Sequence, residues 1–235
     1  MDMEECKTEA LCKTSTFVPV YEVPIRNHFI AKVYSLLSCQ LLLTFSTVCT
    51  CMFVPVVSQF VMSAPELNIC AMIFQITTLV LLYCYQHKHP QNICLLFLFT
   101  FCVSYNIAYT CVLYDANTII AIAVGITLVD FIFLTCYVLY SKKDFEFIRG
   151  GLCVGASTML IFCLLTFLFP ALFSLSGSIC GIFGSILFSG FVLYDTSQII
   201  HHMDIDDYVV ASVQLYLDII NIFLCVVQAL NHNTE

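Results

Sequence analysis

The sequence predicts an all-α polytopic membrane protein, a single bundle of seven transmembrane helices, and three observations carry that prediction. Only 10% of the 235 residues are charged and 60% are apolar, against about 25% charged in an ordinary soluble domain. Such a chain cannot cover a water-facing surface. The apolar residues form seven runs, 33–54, 67–86, 91–113, 118–140, 152–173, 179–200 and 209–230, each near the roughly 20 residues that span a bilayer core. Finally, every lysine and arginine falls on one side of the alternation that seven crossings impose.

The elements follow in order. Residues 1–32 mix charges and lack the apolar stretch of a signal peptide, so they read as a cytosolic N-terminal tail. Residues 33–230 read as one helix bundle and residues 231–235 as a short C-terminal tail. Pro55 and Pro65 separate the first two runs; "QHKHPQN", "YDAN", "SKKDFEFIRGG", "SLSGS" and "HHMDIDDY" separate the others. No connection is long enough for an independent domain, and no internal repeat is visible. An open sheet is excluded because lipid cannot satisfy its edge.

Lys7, Lys13, Arg26 and Lys32 lie in the tail, Lys88 in the second connection, and Lys142, Lys143 and Arg149 in the fourth. The first, third and fifth connections hold none, which orients the charged side toward the cytosol. The C-terminal "NHNTE" has no such marker. Residues 209–230 are therefore expected to cross, with six helices plus a C-terminal re-entrant segment as the alternative. No basic cluster suggests nucleic acid.

Of the fifteen cysteines, Cys6 and Cys12 lie in the tail and the rest in apolar segments, without a CxxC motif. There they act as small hydrophobes and not as a disulfide framework.

The informative residues are the polar ones inside the apolar runs. A carboxylate at the centre of a membrane helix costs about 2.5–3.5 kcal/mol. Asp195 precedes His201 by six residues and Asp218 follows Tyr208 by ten, depths of roughly 9 and 15 Å from the connection at about 1.5 Å per residue. Antiparallel neighbours would bring the two within about one turn of the same level. Two carboxylates that meet cannot both ionise cheaply, so they tend to share a proton. With a cation present, the same oxygens become hard ligands. Gln214 and Asn221 lie at i−4 and i+3 of Asp218, on its face of the helix. This set falls short of the roughly six to eight oxygens that Ca²⁺ prefers, and suits passage more than storage. The bland reading is a protonated pair that only ties the bundle.

Asp130, mid-way along the fourth run, either lines the same cavity or bonds to a hydroxyl. Gln75 and Asn106 read as interhelical hydrogen-bond glue. Gly177, Gly181, Ser185 and Ser189, with Gly184, make a small-residue surface that lets the sixth helix pack closely. Asp204, Asp206 and Asp207 either cap the seventh helix or form an acidic vestibule that concentrates cations. "HKH" at 87–89 and "HH" at 201–202 lack a second ligand set for metal and leave a minor pH contribution.

"GFVLYDTSQIIHH" followed by "DDYVVASVQLYLDIINIFL" resembles the sixth and seventh helices of the transmembrane Bax inhibitor motif (Bax inhibitor-1) family. "RNHFIAKVYSLLSCQLLLT", "HKHPQN" and "YSKKDF" resemble its Golgi anti-apoptotic, or Lifeguard 4, branch, which has cellular and viral members. The resemblance runs from about residue 25 to residue 230. It implies a seven-helix bundle with the last helix central, acting as a Ca²⁺ leak channel of Golgi and endoplasmic reticulum membranes that protects against apoptosis. Asp195 and Asp218 match the family's pH-sensitive aspartate pair, so transient Ca²⁺ binding is expected there. Two departures stand out: Val103 occupies the place of a third-helix glutamate, and residues 67–86 lack the arginine that latches the pair in some members.

The expected ligands are thus membrane lipid, protons and Ca²⁺ as permeant ion, with no cofactor and no enzymatic activity. An intramembrane aspartyl protease would require a GxGD motif, and "LYLD" lacks it. The alternative function is a non-conducting anti-apoptotic protein that acts through membrane-protein partners in cell-death control.

Overall fold

The computed structural model describes residues 22–114, 117–141, 143–168 and 177–231; Cys6, Cys12, Lys142 and most of the N-terminal tail lie outside them. Among the described residues every regular element is helical. In chain order these are α1 Glu22–Phe53, α2 Pro55–Ser63, α3 Pro65–Cys84, α4 Gln91–Tyr114, α5 Asn117–Ser141, α6 Arg149–Leu168, α7 Gly177–His201 and α8 Tyr208–Asn231. Single 3₁₀ turns at Glu146–Ile148 and Ile205–Asp207 precede α6 and α8. All except α2 are long and apolar enough to cross a bilayer. The chain is a multi-pass membrane protein.

Two boundaries differ from the apolar runs for physical reasons. The first helix starts at Glu22, well before residue 33. Its 32 residues rise about 48 Å at 1.5 Å each, more than the roughly 30 Å hydrocarbon core, so its first turns need not be apolar. The expected connection after it is itself a helix, α2. Val54 is extended, and Pro55 and Pro65 each open a new helix, where proline's missing N–H costs nothing.

The seventh crossing is unbroken. The 24 residues of α8 span about 36 Å without the break a re-entrant segment needs. It is also the most enclosed element: 78% of its most apolar window is buried, chiefly against α7 and then α1, α5 and α4. Leu215, Tyr216 and Ile222 meet Leu37, Leu96 and Phe99 in the core. Leu42, Phe45, Ile73, Phe133, Leu160 and Ile186 stay exposed, on faces that hydrocarbon can solvate.

Glycines set the closest approach. A Cβ on Gly181 would sit 2.5 Å from the Cys225 carbonyl oxygen and 2.6 Å from the Ala229 nitrogen. Ser178 reinforces the seam by donating to the Ala229 carbonyl at 3.1 Å. On the far side of α7, Gly155 abuts Leu187 and Gly190 abuts Leu152, while a cleft of about 540 Å³ opens beside Phe162 and Phe183. Within the expected small-residue surface, Gly181 and Gly184 meet α8 at Cys225, and Gly184 also meets Met159 of α6. All cysteines among the described residues are free.

Candidate functional site

The α7–α8 seam presents the two aspartates to each other. Gly184 and Asp195 are 11 residues apart, close to three full turns at 3.6 residues each, so the face that permits close approach also carries the carboxylate. The carboxyl groups of Asp195 and Asp218 lie within hydrogen-bonding reach. Asp218 is 7% exposed and Asp195 half-buried. Oδ2 of Asp218 is buried without a hydrogen-bond partner among the described residues. A buried carboxylate oxygen needs a proton, a water or a cation. Gln214 and Asn221 flank Asp218 on α8, both half-buried, and neither side chain makes a hydrogen bond among the described residues. Their amides, with the carboxylates, are hard oxygen donors of the kind Ca²⁺ takes. Tyr83 on α3 lies within electrostatic reach of Asp195.

Asp130 is placed elsewhere. It accepts a hydrogen bond from Ser189 Oγ at 2.6 Å, across the α5–α7 seam. Ser189 and Asp195 are six residues apart, about 120° around the helix, so Asp130 takes the hydroxyl-bonded alternative on a different face. Asn106 Nδ2 donates to Gln75 Oε1 at 2.6 Å, the expected α3–α4 tie.

The α7–α8 connection lies directly below the pair. Asp204 and Asp206 are exposed and Asp207 is half-buried. Asp204 stands at the N-cap of the 3₁₀ turn without a side-chain capping bond, and its carboxylate lies within electrostatic reach of Arg26. Arg26, on α1, donates from Nε to the Ile200 carbonyl at 2.9 Å and from Nη1 to the Met203 carbonyl at 2.6 Å. His89 stacks on Tyr208 with ring centroids 5.7 Å apart, and His87 lies 3.8 Å from Asp207. His202 Nε2 and Asp144 Oδ2 are 2.7 Å apart. The start of α1 and the second, fourth and sixth connections thus share one end of the bundle. That end holds Arg26, Lys32, Lys88, Lys143 and Arg149.

Sequence reasoning missed a buried polar layer. Thr44 Oγ1 is hydrogen-bonded to Tyr216 OH at 2.8 Å and to Ser104 Oγ at 2.9 Å, and Gln40 Nε2 donates to Thr100 Oγ1 at 3.1 Å. The layer ties α1, α4 and α8. Its signal was present as paired polar residues at i, i+4: Gln40 with Thr44, and Thr100 with Ser104.

Comparison with known proteins matches residues 26–235 to the family model described as inhibitor of apoptosis-promoting Bax1. The chain is 36% identical over 208 residues to the Golgi anti-apoptotic protein of vaccinia virus (strain Lister), covering 88% of this chain and 86% of that one. It is 36% identical over 203 residues to mouse protein lifeguard 4, covering 86% and 84%. It is 35% identical over 206 residues to Arabidopsis thaliana protein LIFEGUARD 2, covering 85% of each.

Proposed function

The chain belongs to the family of inhibitors of apoptosis-promoting Bax1, the Bax inhibitor-1 family, and from that premise we propose that it is a proton-sensitive Ca²⁺ leak of internal membranes that restrains cell death. The observation that carries the reading is the meeting of Asp195 and Asp218, with Asp218 Oδ2 buried and no hydrogen-bond donor supplied to it by the other described residues. Intramembrane carboxylates are functional by default. When the pair holds a shared proton, the helices are tied and the oxygens are closed to a cation. When it loses the proton, repulsion loosens the seam and the same oxygens receive Ca²⁺. Gln214 and Asn221 supply neutral oxygens one turn to either side. The exposed Asp204 and Asp206 attract cations to the mouth.

The names of the vaccinia relative and the family support a Golgi location and an anti-apoptotic role. The gathering of positive residues at one end supports a cytosolic N-terminus. The protein is read as a conduit and not an enzyme because "LYLD" lacks the GxGD motif of an intramembrane aspartyl protease.

The test is Ca²⁺ flux into liposomes holding the purified chain at about pH 6 and about pH 8, which compares the pair at two proton activities. Wild type is expected to conduct with a pH dependence that Asp195→Asn or Asp218→Asn reduces at least tenfold, about 1.4 kcal/mol of gating bias. Folded protein with no flux above empty liposomes at either pH would overturn the leak. A double Asp→Asn chain that still protects cells would favour a non-conducting partner protein.

A further inference from the structure

The six residues between Asp195's helix and Asp218's helix, 202–207, are held from outside the pair. At the end of α7, Arg26 grips the carbonyls of Ile200 and Met203. A guanidinium is charged throughout the physiological range, so this grip is constant. Between those two carbonyls, His202 bonds Asp144 of the α5–α6 connection at 2.7 Å. That second grip changes with pH, because imidazole titrates between about pH 5 and 8.

Asp144 is built to hold one geometry. The Glu146 backbone N–H donates to its Oδ1 at 3.0 Å, while Oδ2 faces His202. Its neighbour Phe145 donates its backbone N–H to Ser197 Oγ at 3.1 Å, which anchors the connection to α7 just over one turn before His202. The His202 hydrogen bond first, and the Glu146 N–H second, hold the Asp144 carboxyl below its ordinary range. Asp144 is therefore ionised across the range in which histidine side chains ordinarily titrate. Around His202 stand Asp144 and Glu146 from the α5–α6 connection and His201 at a ring distance of 6.2 Å; Arg26 and Asp204 lie near Met203 on the other side. Both groups facing the imidazole from the connection are acidic. On the α8 side, His87 faces Asp207 and His89 faces Tyr208, over which Lys32 also lies.

We infer that the cytosolic mouth carries its own proton-operated clasp on the gate helices: His202 closes on Asp144 when protonated, against the fixed grip of Arg26, and restrains the α7–α8 connection independently of the aspartate pair. The sign follows from the charges. With the imidazole protonated the contact is an ion pair; with it neutral, the ring N–H still donates to the Asp144 carboxylate but the opposite charge is gone. The clasp tightens on acidification and slackens toward alkaline pH. Any movement of α7 against α8 must displace residues 201–208, which join them, so the clasp adds a second pH-dependent restraint on opening. The restraint on the connection stands without the leak reading; its effect on flux rests on it.

Hydrogen–deuterium exchange of the full chain in nanodiscs reads the clasp directly, in buffer with EDTA and corrected for intrinsic rates. Peptides covering residues 202–208 are expected to exchange about two- to fivefold more slowly near pH 6 than near pH 8, the range an exposed ion pair supports. His202→Gln and Asp144→Asn, both solvent-facing and near-isosteric, should remove that difference, while Arg26→Gln should speed exchange at both pH values. An unchanged pH difference in His202→Gln and Asp144→Asn, or none in wild type, overturns the clasp. Liposome flux then separates the two ideas. A shifted pH profile in His202→Gln supports action on the gate, and an unshifted profile in a conducting chain overturns it. Absence of flux in wild type sinks the leak and leaves the exchange result standing.

Discussion

Helices α6 and α8 are of nearly equal length and both are apolar enough to cross a bilayer, yet they have opposite fates. None of α6's most apolar window is buried inside the protein, against 78% of α8's. Apolarity alone does not separate them, since hydrocarbon solvates an apolar face as well as a protein core does. The polar residues do. α8 carries Gln214, Tyr216, Asp218 and Asn221, groups that lipid cannot satisfy, while its Ser212 bonds its own helix at Val209. The hydroxyls of α6 satisfy themselves: Ser157 and Thr158 both donate to the Val154 carbonyl, and Thr166 donates to the Phe162 carbonyl. In this protein the centre of the bundle is marked by the residues that would be surface in water.

The strongest way to break the comparison is to deny α8 its place. Gly181→Leu puts a side chain where even a Cβ would strike the backbone of α8 at Cys225 and Ala229. Backbone cannot yield as a side-chain tip can. Overpacking of this kind costs typically about 1–3 kcal/mol and more where nothing can move, so the upper end is expected for Gly181→Leu. Gly125→Leu is the control, since a Cβ there would have open space around it to 4 Å, and it should stay within about 0.5 kcal/mol. Unfolding in mixed micelles, followed by loss of helical signal, measures both. Equal effects would mean that the α7–α8 seam is looser than its distances state.

A finer test removes one atom from the buried layer. Tyr216 is fully enclosed, and its hydroxyl bonds Thr44 at 2.8 Å. Tyr216→Phe keeps the ring against Phe99 and deletes the bond, for an expected loss of about 0.6–1.7 kcal/mol, from the average to the largest coupling measured for interhelical bonds in membranes. A double-mutant cycle with Thr44→Val should show coupling of similar size. Additive losses would assign the effect to packing.

The same contrast explains what could be read beforehand. Seven crossings, the shared side of the basic residues and the aspartate pair were all legible, because each follows from the cost of polarity or charge in hydrocarbon. The α2 helix was not, since Pro55 and Pro65 read equally well as breaks in a plain connection. Nor was the partner of Asp130. Two seams of α7 were open to it, and only the angular offset of Ser189 from Asp195 decides between them. The His202–Asp144 contact joins residues 58 apart in sequence, through loops whose geometry no periodicity encodes.

The smallest expected effect sharpens the comparison most. Thr158 on α6 lines the cleft beside α7, yet its hydroxyl does not reach across to a neighbour as that of Tyr216 in α8 does. Its hydroxyl instead donates to its own helix at Val154, 2.8 Å away, and such back-bonding adds nothing between helices. Thr158→Val nearly conserves shape and exposes no new polar group, because Val154's carbonyl remains in the helix ladder. The variant should unfold within about 0.5 kcal/mol of wild type, well below the loss from Tyr216→Phe in the same micelles. A larger loss would mean that the hydroxyl has a partner outside its own helix, and that α6 is held to the bundle by more than the contacts of Leu152, Gly155 and Met159 with α7.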